Sequence, residues 1–324
     1  MKRTPIGLLS ALAIAAPLGM AQAQDMPAKA PPPAALPATE CDLINPYPQG
    51  GCWYAGAEAT YLHATRDGSA ISLNPGTPGV PFSSANFNPP WGAGGRVWLG
   101  YEIFQGWGIR ARFWDFYDDQ NVTIPPAPGG ALNFANGTLG LRAYNTDLEA
   151  TKDFRLGSLV LEGALGARYA QLDQSQALIA TSSTVAESAA ASRDIHGTGV
   201  TGFFEARYTL PTTYVSVFAN VRDSALWGND SGEVAGTINA SRAFLQNTLG
   251  NRLSILETQI GAEWDPPLAC RCGTLFVRAA YEFQQWTAPN NLGLVLIGIP
   301  GFSAKPESAN VIFNGFAFAV GLYR

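Results

Sequence analysis

From residue 53 to the C-terminus, apolar and polar side chains alternate with a period of two, the mark of strands with two unlike faces. The alternation recurs in segments at 53–63, 93–103, 107–118, 141–152, 158–171, 196–209, 212–223, 252–264, 274–286 and 310–323. Each is about 10 to 15 residues, the length a tilted strand needs to cross a bilayer. In the second, Val97, Leu99, Tyr101 and Ile103 share one face and Trp98, Gly100 and Glu102 the other. Ile109, Ala111 and Phe113 likewise oppose Arg110 and Arg112, and Val215, Val217, Ala219 and Val221 oppose Ser216, Asn220 and Arg222. Leu275, Val277, Tyr281 and Phe283 oppose Arg278, Glu282 and Gln284.

The gaps between segments alternate strictly. Long ones run from Ala64 to Gly92, Asp119 to Gly140, Leu172 to Ile195, Ser224 to Asn251 and Thr287 to Ala309. Short ones lie near Phe104 to Gly106, Asp153 to Gly157, Leu210 to Pro211 and Asp265 to Gly273. Long external loops and short periplasmic turns are the arrangement of an outer-membrane barrel. The expected fold is therefore all-β, a transmembrane antiparallel up-and-down barrel of ten strands over 53–324, with both termini in the periplasm. A further hairpin hidden between Ser224 and Asn251, with Glu233 to Ala240 as one strand, gives the alternative of twelve. Aromatics gather at the two expected interfaces: Trp53, Tyr54, Trp107, Tyr208, Tyr214, Trp264 and Tyr323 near turns and termini, Tyr61, Trp114, Tyr117, Tyr169 and Trp286 near the long loops.

Composition supports lipid contact, since charged residues are only 14% of the chain against roughly 25% in soluble domains. Lys2 and Arg3, an apolar run from Ile6 to Leu18 and then Ala21-Gln22-Ala23 read as a secretory signal over 1–23. That run is too short for a spanning helix, which takes about 20 apolar residues. The stretch 24–52 opens rich in Pro and Ala and reads as a periplasmic tether. Removing the signal leaves 18 basic against 25 acidic residues, with no basic patch of the nucleic-acid kind. Cys41, Cys52, Cys270 and Cys272 are an even set in an exported chain and are disulfide candidates with open connectivity.

The inward parity collects Glu58, Arg96, Glu102, Arg110, Arg112, Asp147, Glu149, Glu162, Arg168, Glu205, Arg207, Arg222, Glu257, Glu263, Arg278 and Glu282. In a watery lumen such charges orient polar solutes. In a narrow one they pair and fill the bore, Glu102 with Arg110 and Arg112 being the plainest candidates. Three functions stay open: a porin-like passive channel for small polar solutes or ions, a closed barrel acting as a structural or surface-interaction protein through its loops, and a hydrolase. The last rests on His63, His196, Asp67 and Asp194 near the external rim, without any catalytic or metal-binding signature. No cofactor is implied, and the expected partners are outer-membrane lipid, the barrel-assembly machinery and the transported solutes.

WYAGAEATYLHATRDG (Trp53 to Gly68), GGRVWLGYE (Gly94 to Glu102), GWGIRARFWDFYDD (Gly106 to Asp119) and the terminal FNGFAFAVGLYR (Phe313 to Arg324) resemble the Legionella-type major-outer-membrane-protein-like barrels. The resemblance covers the chain from about Trp53 onward and implies a pore-forming membrane barrel. One departure is at the end, where Arg324 follows Tyr323 in place of a terminal aromatic.

Overall fold

The computed structural model describes residues 52–66, 70–73, 83–86, 91–124, 132–182, 186–238, 241–266, 274–288, 302–303 and 310–323. The strands are β1 (Cys52–Arg66), β2 (Ala70–Leu73), β3 (Ser83–Asn86), β4 (Trp91–Phe104), β5 (Trp107–Ile124), β6 (Leu132–Leu156), β7 (Leu159–Ser182), β8 (Ala186–Thr209), β9 (Val215–Ile238), β10 (Ser241–Trp264), β11 (Thr274–Thr287), β12 (Phe302–Ser303) and β13 (Val311–Tyr323). Ten of them close into an antiparallel barrel in the ring order β1-β13-β11-β10-β9-β8-β7-β6-β5-β4. β2, β3 and β12 form a separate three-stranded sheet. The expected signal, the expected tether as far as Gly51, and Cys41, Cys270 and Cys272 lie outside the described residues, while Cys52, given to the tether, opens β1.

The register sets the barrel's dimensions. Moving from strand to strand through paired residues leads from Trp53 by Tyr101, Ile109, Ala150, Leu165, Gly202, Asp223, Leu256, Gln285 and Ile312 to Thr65. The circuit returns to β1 twelve residues higher, so the shear is 12 for ten strands. With ordinary strand spacings that stagger gives a tilt of about 40°, a radius of about 10 Å and an axial rise of roughly 2.5 Å per residue.

Tight turns close one end. Gln105 and Gly106 both have positive φ, 47° and 75°, as a two-residue type I′ hairpin requires between β4 and β5. Gly157, at φ 64°, begins the equally short link from β6 to β7. At the other end β5 to β10 are longer than expected. The stretches read as loops from Asp119 to Gly140, Leu172 to Ile195 and Ser224 to Asn251 are mostly paired strand. The physical reason is that beyond the lipid the outer face no longer needs to be apolar, so Gly, Ala, Ser and Thr blur the alternation while the ladder continues. Glu233 to Ile238 extends β9 and pairs with β8 and β10, so no twelfth spanning strand arises there.

Outward side chains form an apolar band: Val97, Leu99, Leu148, Leu165, Val217 and Val277 are all exposed. On β1 Trp53 and Tyr61 bracket it, on β5 Trp107 and Tyr117, and both pairs are exposed. These separations of eight and ten residues correspond to roughly 20 to 25 Å along the axis, the height of an outer-membrane barrel's lipid belt. β6, at 25 residues, reaches roughly 60 Å and rises far beyond that belt.

Leu165 lies near mid-belt and is 75% exposed, whereas Ile179, on the same strand, is exposed above it. Leu165→Arg should reduce stability in vesicles by about 2–4 kcal/mol, and Ile179→Arg by less than about 1 kcal/mol. Urea unfolding followed by tryptophan fluorescence checks the contrast, and equal losses would contradict the placement of the belt.

Candidate functional site

Most inward rows change character at one level, from charged toward the turn end to apolar toward the hairpin end; β13 is the exception, with Ala317 and Ala319 where its neighbours carry charges. β5 runs Arg110, Arg112, Trp114, Phe116; β1 runs Glu58, Thr60, Leu62, Ala64; β9 runs Arg222, Ser224, Leu226.

The charged tier is one connected mesh. β5 and β10 are five places apart in the ring of ten, diametrically opposed, yet Arg112 Nη2 donates to Glu257 Oε2 at 2.7 Å. Glu257 Oε1 also accepts from Arg168 Nη1 at 2.5 Å. Arg168 holds Asp147 through two donors, Nε and Nη2, at 2.5 and 2.8 Å. Arg96 sits between Glu58 and Glu282, reaching Glu282 at 2.6 Å. Gln259 Nε2 donates to Glu282 at 3.0 Å.

Arg110 bonds Glu149 at 2.9 Å and Glu162 at 2.5 Å, and Arg222 pairs with Glu149 from the far side. Both guanidiniums lie over the Phe203 ring, 4.9 and 4.6 Å from its centre, as cation–π contacts. Nearest the turn end, Arg207 and Arg278 share Glu205 and Glu263 at 2.7 to 2.9 Å. Charges this far from water persist only when paired and hydrogen-bonded.

Above the mesh is an apolar plug. Trp114 lies 5.9 Å from Trp286 and 5.8 Å from Phe313, and Phe116 lies 5.0 Å from Phe313, ring centre to ring centre. Leu62, Leu141, Leu172, Ile195, Leu226, Leu253, Ile255 and Val311 fill the space around them. Between mesh and plug, Asn145 is fully buried and its amide finds no hydrogen-bond partner among the described residues. Beyond the plug Arg193 Nε donates to Asp230 Oδ1 at 2.9 Å, and Asn251 Nδ2 donates to Asp230 at 2.9 Å.

Of the residues singled out in the sequence, the inward set meets in the mesh, with Glu102 apart. Its carboxylate accepts from the backbone N–H of Gly106 at 3.2 Å, bracing the turn. The expected Glu102 pairing with Arg110 and Arg112 gives way because Glu149, Glu162, Asp147 and Glu257 reach those guanidiniums from other strands.

Trp114 and Trp286, expected at an interface, are instead buried inside, and Tyr54 shares the inward parity of Glu58. Trp114 carries the same parity as Arg110 and Arg112, a signal that proximity to a loop end obscured. Buried Arg193, paired with Asp230, was missed because its segment read as loop. His63 and His196 stand on β1 and β8, opposite sides of the ring, and do not share a site. His196 Nδ1 lies 2.7 Å from Asp194 Oδ1, while Asp67 lies outside the described residues.

Removing one partner strands the other in a dry bore. Arg112→Met and Glu257→Leu should each reduce stability by about 3–5 kcal/mol, and the double variant by clearly less than their sum. Denaturant unfolding of the four-member cycle checks this, and additive losses would show that the two side chains do not interact.

Comparison with known proteins adds a family. No curated protein matches the chain. Among solved structures the chain is similar to the outer membrane protease OmpT of Escherichia coli, at 11% identity over 84% of this chain and 95% of that one, with a TM-score of 0.40. It is also similar to a major outer membrane protein of Thermus thermophilus, at 10% identity over 85% and 99% with a TM-score of 0.31. Neisserial surface protein A matches at 10% identity over 84% and 98%, with a TM-score of 0.30. These likenesses are too distant to carry function. The family model described as Legionella pneumophila major outer membrane protein precursor matches residues 48–322. With a closed ten-stranded barrel, an apolar outer belt and a family match over nearly all of that barrel, the chain belongs to the Legionella major outer membrane protein family of outer-membrane β-barrels.

Proposed function

We propose that this protein is a closed barrel at rest, which works in the outer membrane through the tall hairpin wall it displays rather than as a constitutively open pore. The observation that carries this reading is the diametric Arg112 to Glu257 bond, backed by the Trp114, Trp286 and Phe313 plug. A bore of about 10 Å radius, measured to the strand backbones, is filled by side chains from its walls. Two barriers of opposite chemistry lie in series. An ion must shed water to pass the plug, and an apolar solute meets the charged mesh.

The hairpin end faces outward in this reading and both termini face the periplasm, as short turns and long hairpins are distributed in such barrels. Solvent-facing Ile179 reports on it. A cysteine placed there by Ile179→Cys should react with a membrane-impermeant maleimide on intact cells. Protection from the reagent there, with labelling after lysis, would reverse the orientation.

One observation favours a second reading, a passive channel for small polar solutes or ions that opens by rearrangement. The buried amide of Asn145 and the indole N–H of Trp114 have no partner among the described residues, so a polar seam runs between mesh and plug. Planar-bilayer recording separates the two readings. The wild type should give no steady conductance. Trp114→Ala, Trp286→Ala and Phe313→Ala together should still be silent, and discrete channels should appear only when Arg112→Ala and Glu257→Ala are added. Discrete openings from the wild type would establish the channel reading.

A further inference from the structure

Outside the barrel, on the faces of β6, β7 and β8, polar and aromatic side chains make a network that neither mesh nor plug uses. Tyr144 and Tyr169 both donate from their hydroxyls to Gln171 Oε1, at 2.6 and 2.9 Å. Gln171 Nε2 donates in turn to Asp173 Oδ1 at 2.9 Å and to Asp194 Oδ2 at 2.7 Å. Asp194 also meets His196 Nδ1. The side chains of Asp194 and His196 are 39% and 38% exposed. Trp227, opposite Thr198 on the next strand, is 57% exposed. Arg142 stacks over Tyr144 and pairs with Asp115 at 3.2 Å.

His196 and Asp194 stand twelve and fourteen residues from Tyr208 along β8, roughly 30 and 35 Å up the axis. The lipid belt ends at roughly 25 Å. The network is therefore continuous with the lipid-facing surface and begins where hydrocarbon gives way to headgroups. It also opposes two carboxylates, Asp173 and Asp194, directly across a strand pair, an arrangement that disfavours folding. A single amide spans them in the position a bridging cation would take.

We infer that this face of β6 to β9 binds the sugar headgroup of an outer-leaflet glycolipid. Exposed carboxylates accept from ring hydroxyls, the imidazole and guanidinium add polar contacts, and the rings of Tyr144, Tyr169 and Trp227 offer flat apolar faces to a sugar's C–H side. The inference rests on the outward orientation proposed above.

The test is a titration of the detergent-solubilised full chain with a hexa-acylated glucosamine-disaccharide glycolipid, and separately with phosphatidylglycerol, read by native mass spectrometry. The wild type should retain the glycolipid in preference to phosphatidylglycerol. Gln171→Leu combined with Asp194→Asn should weaken that retention about tenfold, the loss of one or two hydrogen bonds. Asp194→Asn alone should weaken it without lowering the unfolding temperature, since it relieves a like-charge contact. That split separates binding from a structural role.

Equal retention of both lipids, or unchanged retention in the variants, overturns the inference. So does glycolipid binding that a chelator abolishes and magnesium restores, which would mark a cation bridge. A barrel inserted the other way round would fail the Ile179→Cys labelling yet still bind glycolipid in detergent, so the two failures are distinguishable.

Discussion

Closure of the sheet is the constraint from which the rest follows. No water is available inside a bilayer to satisfy backbone N–H and C=O groups, so the first and last spanning strands, β1 and β13, must pair. They do so with a stagger of twelve residues around ten strands, which holds the wall about 10 Å from the axis. A circular bore of that radius is about 20 Å across, wider than one arginine and one glutamate bridge, so the Arg112 to Glu257 bond requires the ring to be narrower along that line.

The same narrowness explains the two-tier interior. Below the switch in character, acidic and basic side chains outnumber apolar ones and most find partners on other strands, so the mesh ties opposite walls together without a single dominant pair. Above it, Trp114, Phe116, Trp286 and Phe313 pack as an ordinary core packs. Paired charges in a dry interior add little net stability, but they penalise any arrangement that separates them. The mesh thus favours one register of the strands, while the plug supplies hydrophobic burial.

The tall strands give the barrel a second surface. Between the belt and the hairpin tips, β6 to β10 carry a mostly polar outer face with Ile179 and Phe244 exposed on it. Inside, Arg193, Asp230 and Asn251 are bonded across β8, β9 and β10. The outer face is the one that meets headgroups, and there the tyrosines, Gln171, the aspartates and His196 are joined by hydrogen bonds.

Period-two alternation in a bilayer is a strong signal because one face must be apolar, and it was enough to locate ten spanning segments, the short turns and the inward parity of the charges. It lost the upper halves of β5 to β10, where water on the outside removes the demand for an apolar face, so that paired strand and loop read alike. Parity also placed Arg112 and Glu257 inside, but not against each other. Which charges meet across the bore, why Glu102 braces a turn instead of pairing with Arg110, and why Trp114 plugs rather than anchors all depend on the stagger of closure. That stagger is a relation between strands distant in the chain, and no local pattern carries it.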